Sequence, residues 1–281
     1  MSAPTPLSAP VHHPPVEVAP ETFVIQATWG EGNGPVAVHI NSMVIRGSEP
    51  VVVDSGAPVH REQYFNDLFG LVEPKDVRWV FISHDDGDHV GNVNELMAAC
   101  PNATLITTWF MCERLGLEGL AVPPFRWRWV GDGEKFEAGD RVLLAVRPPL
   151  YDSPTTRGLF DSTTGVYWAS DCYAAPVERA TLFADELDSA FWSEGFTAFQ
   201  AWNSPWVSMV DGAAFGAVCS GIEQLGVTTI ASCHGPTIRG PQVAEAFKLL
   251  RTLPTVDVPP QPGQLALDEI VAAMAAEAPS A

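Results

Sequence analysis

Residues 81–92 read Phe81-Ile82-Ser83-His84-Asp85-Asp86-Gly87-Asp88-His89-Val90-Gly91-Asn92, and this stretch decides the fold and the chemistry of the chain. It places two imidazoles and three carboxylates in six consecutive positions, directly after an apolar run over residues 77–82. Metal ions need several unprotonated nitrogen and oxygen donors on a rigid support, which the end of a buried strand provides. We therefore expect the chemistry of the protein at this loop.

Two other interpretations of the loop compete with a metal site of this kind. Asp88 would cap the helix that follows, or the acidic run would be a calcium-binding EF-hand. An EF-hand closes with a Glu at the twelfth position of its loop, but counting from Asp86 reaches Met97. Capping alone leaves several like charges together without a cation, so a metal site with histidine donors is the better interpretation.

The composition excludes several classes of partner. The chain has 281 residues, of which 46% are hydrophobic, enough for one large domain or two small ones. Its net charge of −19 argues against nucleic acid and against an anionic membrane surface. Five cysteines without a CxxC pair, and the lack of a secretory signal, favour a reducing, cytoplasmic location. The oligomeric state stays open.

The order of patterns along the chain predicts an α/β fold. Strands and helices alternate up to about residue 115, strands dominate 125–169, and the alternation returns until residue 252, which is typical of two packed sheets between outer helices. We expect a disordered Pro- and Ala-rich arm over residues 1–21, a metal-binding domain over 22–253, and a peripheral tail over 254–281 with a short helix near 265–276.

Four motifs in order carry a resemblance to a known family. Residues 84–89 fit the pattern His-x-(His/Glu/Asp)-x-Asp-His, and residues 51–56, 167–171 and 230–236 look like the other motifs of the metallo-β-lactamase superfamily. The resemblance covers roughly residues 22–240. It implies a four-layer αββα sandwich and a site for two metal ions.

The second donor of the first motif points to one branch of that superfamily. Asp86 stands where zinc hydrolases have a histidine, and this resembles the diiron domain of flavodiiron and oxygen-binding diiron proteins. Carboxylate-rich donor sets suit iron and histidine-rich sets suit zinc, so iron is favoured over zinc or manganese. A flavodoxin domain is not expected within this length, so electrons would come from a separate donor.

The resemblance also implies how the donors divide. One ion would take His84, Asp86 and Asp171, and the second would take Asp88, His89, Asp171 and His234, with Asp54 holding the loop in place. Both branches usually have a histidine between the first motif and Asp171, but this sequence has none between His89 and His234. Asp152 is the favoured replacement for this histidine, and Tyr151 is the alternative. The third possibility is that neither residue binds and the first ion keeps an open coordination position.

Further expectations concern the catalytic residues, the cysteines and the pocket. Asp88 and Tyr151 are the residues expected to act in catalysis. Cys172 and Cys233 flank two predicted ligands, and a redox role competes with apolar packing, which is favoured because neighbours in a strand point to opposite faces. An aromatic pocket over the metals is expected from residues 191–192 and 202–206.

Three functions follow from these observations. The favoured one is an oxidoreductase that handles dioxygen, a peroxide or nitric oxide at two irons. The alternative is a metal-dependent hydrolase of an ester, lactone, amide or phosphoester, in which metal-activated water attacks the substrate. A non-catalytic diiron oxygen sensor is the third.

Overall fold

The chain folds into two stacked sheets with helices on both outer faces. The computed structural model describes residues 11–31, 36–151 and 153–277, with side chains up to residue 272. Three separate hydrophobic clusters fill the space between helices and first sheet, between the two sheets, and between second sheet and helices. Three clusters between four layers confirm the expected αββα sandwich.

The first sheet has eight strands in the order β1-β2-β4-β5-β6-β7-β8, with β3 paired to β2. The pairs from β5 to β8 are parallel, and the pairs from β1 to β5 are antiparallel. The strands are β1 Val11–Ala19, β2 Thr22–Trp29, β3 Val38–His39, β4 Ser42–Ile45, β5 Val51–Val53, β6 Trp79–Phe81, β7 Thr104–Thr107 and β8 Trp127–Trp129.

The second sheet has six strands in the order β14-β13-β12-β11-β10-β9. Its pairs are antiparallel except for β12 and β13, which run parallel. The strands are β9 Lys135–Ala138, β10 Arg141–Val146, β11 Gly158–Asp161, β12 Val166–Trp168, β13 Thr229–Ala231 and β14 Ile238–Arg239.

Helices cover each sheet on its outer side. The cluster over the first sheet contains residues of α1, α3 and α4, and the cluster over the second sheet contains residues of α5, α6 and α7. The helices are α1 Arg61–Leu71, α2 Gly87–Val90, α3 Val93–Ala99, α4 Trp109–Leu117, α5 Ser189–Asn203, α6 Gly212–Glu223, α7 Pro241–Thr252 and α8 Gln264–Glu277. Within the described chain, no helix is both long enough and apolar enough to cross a membrane.

The topology brings four strand ends together. Strands β5 and β6 are parallel neighbours in the first sheet, and β12 and β13 are parallel neighbours in the second. Carboxyl ends of parallel strands lie at the same edge of a sheet, where ligands gather in open sheets. Phe81, Trp168 and Ala231, the last residues of three of these strands, all belong to the cluster between the sheets. The segments that follow them therefore meet at one edge of the sandwich.

Three sequence-based expectations differ from the structure. The arm predicted to be disordered over residues 1–21 contains edge strand β1, and residues 1–10 lie outside the described part. Proline is tolerated at a sheet edge, and the pairing with β2 shifts register between His13 and Val16, around the two prolines. The strand expected over 36–46 is broken into β3 and β4, and the helix expected over 90–99 begins at Val93, after a separate short turn.

Candidate metal centre

The loops after the four parallel strand ends bring six of the predicted metal ligands together. Groups of donor atoms within 4.8 Å of one another contain His84, Asp86, Asp88, His89, Asp171 and His234, and they also include Asp85 and Cys233. His84 and His89 come from the loop after β6, Asp171 follows β12, and His234 follows β13. Both sheets therefore supply donors to the same cluster.

Asp54, just after β5, is the buried anchor of this cluster. Its carboxylate accepts hydrogen bonds from the Ser83 backbone N–H at 2.7 Å, the Ser83 hydroxyl at 2.6 Å, His89 Nδ1 at 2.9 Å and Trp168 Nε1 at 3.0 Å. The φ angle of Asp54 is 60°, a left-handed conformation that Asp adopts more readily than most residues. Asp54 thus ties strand β12, through Trp168, to the loop that carries two imidazoles.

The contact with Asp54 fixes which nitrogen of His89 faces the cluster. An ionised carboxylate only accepts hydrogen bonds, so Nδ1 of His89 carries a proton and Nε2 is the nitrogen that binds either a second proton or a metal ion. That Nε2 atom lies 2.9 Å from Oδ1 of Asp171. The side chain of His89 is fully buried, and its Nε2 atom points into the cluster.

His234 is oriented in the same manner by a backbone group. Its Nδ1 donates to the carbonyl oxygen of His39 at 2.9 Å, which leaves Nε2 to face Asp88 Oδ2 at 3.2 Å and Asp171 Oδ1 at 3.4 Å. Asn41 holds the same turn, since its amide donates to the carbonyl oxygens of Ser232 and Gly235 at 2.9 Å each. The break between β3 and β4 places Asn41 for this contact.

Asp171 lies between all three imidazoles. Its Oδ1 faces His89 and His234, and its Oδ2 lies 3.4 Å from Nδ1 of His84. Only 8% of the residue is exposed. A carboxylate whose two oxygens face different imidazoles is positioned to bridge two ions.

The charges at the cluster stabilise one another strongly. Burial opposes the charge of Asp171, but the imidazoles of His234 and His89 outweigh burial and hold its pKa well below the ordinary value. The pKa of Asp88 is lowered as well, because the hydrogen bond with His234 overcomes burial. Burial would lower the pKa values of His89 and His234, yet the neighbouring Cys233 and Asp171 raise both well above 6.5. The imidazole nitrogens and the carboxylate oxygens that face one another therefore need a proton or a metal ion between them.

The donor set fits a pair of divalent metal ions. With their Nδ1 atoms committed to Asp54 and to a carbonyl, His89 and His234 present Nε2 to carboxylate oxygens at 2.9 and 3.2 Å. A proton lies between nitrogen and oxygen at such distances, and a bound metal ion would replace that proton. Nitrogen and carboxylate donors are ligands of iron, zinc and manganese, and hydrogen bonds from the outer ring nitrogens to oxygen acceptors are usual at such sites.

The His84 side combines a buried imidazole with an exposed carboxylate. Nε2 of His84 lies 3.6 Å from Oδ1 of Asp86, whose side chain is 59% exposed. Asp85, between them, is turned away into a structural contact: Oδ2 lies 2.8 Å from Nε of Arg114, and Oδ1 accepts from the Thr155 hydroxyl at 2.9 Å. Asp85 therefore holds the loop against residues 153–157.

The replacement for the missing histidine stays a prediction. Asp152 lies outside the described residues. Tyr151 is half-buried, and its ring packs against Trp206 at 5.3 Å between centroids and against the guanidinium of Arg147 at 5.6 Å. Its carbonyl oxygen accepts a hydrogen bond from Trp206 Nε1 at 3.1 Å.

The expectation for Cys233 is confirmed in part, and the one for Trp192 is wrong. Cys233 is buried in the hydrophobic cluster between the sheets, as expected. Its Sγ also lies among the donors, because β13 ends at Ala231 and the strand alternation ends there too. Trp192, expected in the pocket wall, is buried in the cluster between the second sheet and its helices. The aromatic ring beside His234 is Phe199, at 6.4 Å between centroids. Sequence alone carried one signal for Cys233, its position next to a predicted ligand.

The sequence is similar to those of known proteins. The sequence family described as ODP family beta lactamase matches residues 38–235. Two putative diflavin flavoproteins of Nostoc sp. are similar, A 2 with 28% identity over 182 residues (62% of this chain, 31% of the relative) and A 1 with 25% over 235 residues (80% and 39%). An anaerobic nitric oxide reductase flavorubredoxin of Pectobacterium atrosepticum is 23% identical over 149 residues (53% and 29%). The chain thus spans about a third of the length of these relatives.

Solved structures show the same fold at low sequence identity. The flavodiiron protein of Giardia intestinalis superposes with a TM-score of 0.72 at 19% identity, over 87% of this chain and 60% of that protein. Rubredoxin oxygen:oxidoreductase from Desulfovibrio gigas gives 0.71 at 16% identity, over 84% and 60%. The fold is therefore that of flavodiiron cores.

Proposed function

The chain belongs to the ODP family of beta lactamases, and from this membership and the geometry of its donors we propose that it is a two-iron oxidoreductase that reduces dioxygen, a peroxide or nitric oxide. One observation carries the proposal: Asp171 lies within 3.4 Å of donor nitrogens on three imidazoles. Asp86 lies 3.6 Å from the other ring nitrogen of His84, and Asp88 lies 3.2 Å from His234. Three carboxylates among six donors favour iron over zinc.

The similar proteins support the choice of substrate. The names of two of them include nitric oxide reductase and oxygen:oxidoreductase. Reduction of either gas consumes electrons, so a reductant or a redox partner belongs to the proposal. The match covers a third of the relatives' length and 60% of the two superposed proteins, which makes the activity itself the point to test.

Each residue of the cluster has a role in this proposal. Two iron ions, when bound, would supply electrons and Lewis acidity to the small substrate. His84, Asp86 and Asp171 would hold one ion, with Asp152 or Tyr151 as a further donor, and Asp88, His89, Asp171 and His234 would hold the other. Asp54 and the His39 carbonyl keep His89 and His234 in the tautomer that ligation requires.

The role of the segment 153–157 is to support the loop. The Arg157 backbone N–H donates to the Ser83 carbonyl oxygen at 2.8 Å, and Thr155 donates to Asp85. The guanidinium of Arg157 donates to the Thr156 carbonyl oxygen at 2.7 Å, so its charge is directed to the backbone of its own turn. We therefore place no substrate contact there.

Metal content and gas consumption test the proposal together. Protein produced in medium that supplies iron, zinc and manganese should carry about two irons per chain, the number that a bridging Asp171 implies. With dithionite as chemical reductant it should consume oxygen or nitric oxide catalytically, and Asp171→Asn should abolish this. Asp257→Asn, at an exposed position, is the matched control and should match the wild type.

Other outcomes would point to the competing functions. Stoichiometric zinc together with turnover of an ester or lactone would contradict the proposal and favour a hydrolase. Two irons that bind the gas once, without turnover under excess reductant, would favour a sensor.

A further inference from the structure

The buried thiol of Cys233 lies among the donors on the His234 side. Its Sγ atom and one donor atom each from Asp88, His89 and His234 all lie within 4.8 Å of one another. The five cysteines are free and buried, and among the residues that the structure describes Cys233 alone belongs to such a group of donors. Cys233 therefore belongs both to the hydrophobic cluster between the sheets and to this group of donors.

The spacing of these atoms is that of donors to one shared ion. From Oδ2 of Asp88 the distances are 3.2 Å to His234 Nε2, 3.9 Å to His89 Nε2 and 3.9 Å to Cys233 Sγ. Metal bonds of about 2.0–2.2 Å to nitrogen and oxygen and about 2.3 Å to sulfur separate neighbouring donors by roughly 3–4 Å. Oδ1 of Asp171 faces the same two imidazoles at 2.9 and 3.4 Å and would be a fifth donor.

Both sheets hold the backbone of Cys233 in place. Its N–H donates to the carbonyl oxygen of Ser170, after β12, at 2.9 Å, and its carbonyl oxygen accepts from the N–H of Asn41, before β4, at 2.9 Å. These backbone contacts hold the thiol beside Asp88, to whose Oδ2 the thiol donates a hydrogen bond at 3.9 Å. A sulfur held in this way is pre-organised as a donor.

We propose that Cys233 binds the ion on the His234 side as a thiolate, in addition to Asp88, His89, Asp171 and His234. This inference rests on the proposed function, because it requires a metal ion at the cluster. Binding breaks the S–H bond, forms a sulfur–metal bond and releases one proton to solvent. The resulting set of two nitrogens, two oxygens and one sulfur is softer than the set around His84.

Cobalt(II) added to the full-length chain is the probe. A thiolate ligand gives cobalt a near-ultraviolet charge-transfer absorption that nitrogen and oxygen ligands do not give. We expect this band in the wild type and its loss in Cys233→Ser, which should still bind cobalt through the remaining donors. Cys172→Ser is the matched control, because Cys172 is equally buried and follows Asp171 but belongs to the hydrophobic cluster over the second sheet; it should keep the band.

Each remaining outcome decides against the inference. Cobalt bound to the wild type without the band, or with a band that persists in Cys233→Ser, overturns the thiolate ligand and leaves the proposed function standing. Failure of the wild type to bind either cobalt or iron overturns both. Should Cys233→Ser not fold, X-ray absorption at the cobalt edge of the wild type decides: one sulfur neighbour at about 2.3 Å is expected, and a shell of nitrogen and oxygen alone contradicts it.

Discussion

The two sides of the donor cluster are built from similar side chains but differ in how rigidly those side chains are positioned. On the His234 side, two imidazoles have their Nδ1 atoms tied to Asp54 and to the His39 carbonyl oxygen. On the His84 side, the carboxylate partner Asp86 is 59% exposed. The two sides therefore differ in the contacts behind His89 and His234 and in the exposure of Asp86. For the proposed pair of ions, we expect the ion beside His234 to be bound more tightly than the ion beside His84.

The largest effect is expected where the two sides join. Asp171→Asn removes a negative charge that faces all three imidazoles, so we expect metal content to fall from about two ions to near zero and gas consumption to be lost. Inductively coupled plasma mass spectrometry on purified protein measures this. Asp161→Asn is the matched control, since Asp161 is a buried carboxylate on β11, bound by Arg141 at 3.0 Å and away from the cluster; it should keep both ions.

The two sides should separate under graded chelation. We expect a chelator to remove one ion from the wild type first and to leave a stable form with one ion on the His234 side. His84→Ala should resemble that form, with about one ion per chain, whereas His234→Ala should hold its metal more weakly than His84→Ala does. If the two variants retained the same amount of metal at the same chelator concentration, the two sides would not differ in metal affinity.

A smaller effect is expected when the support behind the tight side is weakened. Asp54→Asn keeps a residue that tolerates the left-handed backbone but loses the charge that orients His89, so metal affinity should fall roughly 10–100-fold. Competition with a chromophoric chelator measures this affinity. Both Asp54→Asn and Asp161→Asn should lose about 1–3 kcal/mol of folding free energy. If Asp161→Asn lost as much metal affinity as Asp54→Asn, the effect would be one of stability alone.

The smallest effect is expected at the exposed donor. Asp86→His exchanges an oxygen donor for a nitrogen donor at the open side, so it should raise the zinc-to-iron ratio of purified protein while the total metal content stays near two per chain. Asp257→His, at an exposed position, should leave the ratio unchanged. A ratio that does not respond to Asp86→His would mean that Asp86 is not a ligand.

Much of the fold and of the cluster could be predicted from sequence because the donors follow apolar strands. His84 and His89 come after β6, Asp171 after β12 and His234 after β13, as the strand-end patterns indicated. The αββα layers followed from the alternation of patterns and from the resemblance. Each of these signals is local, and the parallel pairing of the strands then places the residues together.

The failures have equally local causes. Strand β1 was missed because its prolines were read as a sign of disorder, although an edge strand with a shift in register accommodates them. Cys233 does lie in the core between the sheets, but its place among the donors was missed because alternation was extended two residues beyond the end of β13. The contact between the His39 carbonyl oxygen and His234 has no side-chain signature, since the acceptor is backbone and the residues are 195 positions apart.

Mössbauer spectroscopy of protein loaded with ⁵⁷Fe tests the central claim most directly. Two ions in unlike surroundings, joined at Asp171, should give two quadrupole doublets of equal area with different parameters. Mild chelation should remove one of the doublets before the other. Iron bound at less than one ion per chain, or a single doublet that disappears uniformly under chelation, would contradict a cluster of two unequal iron positions.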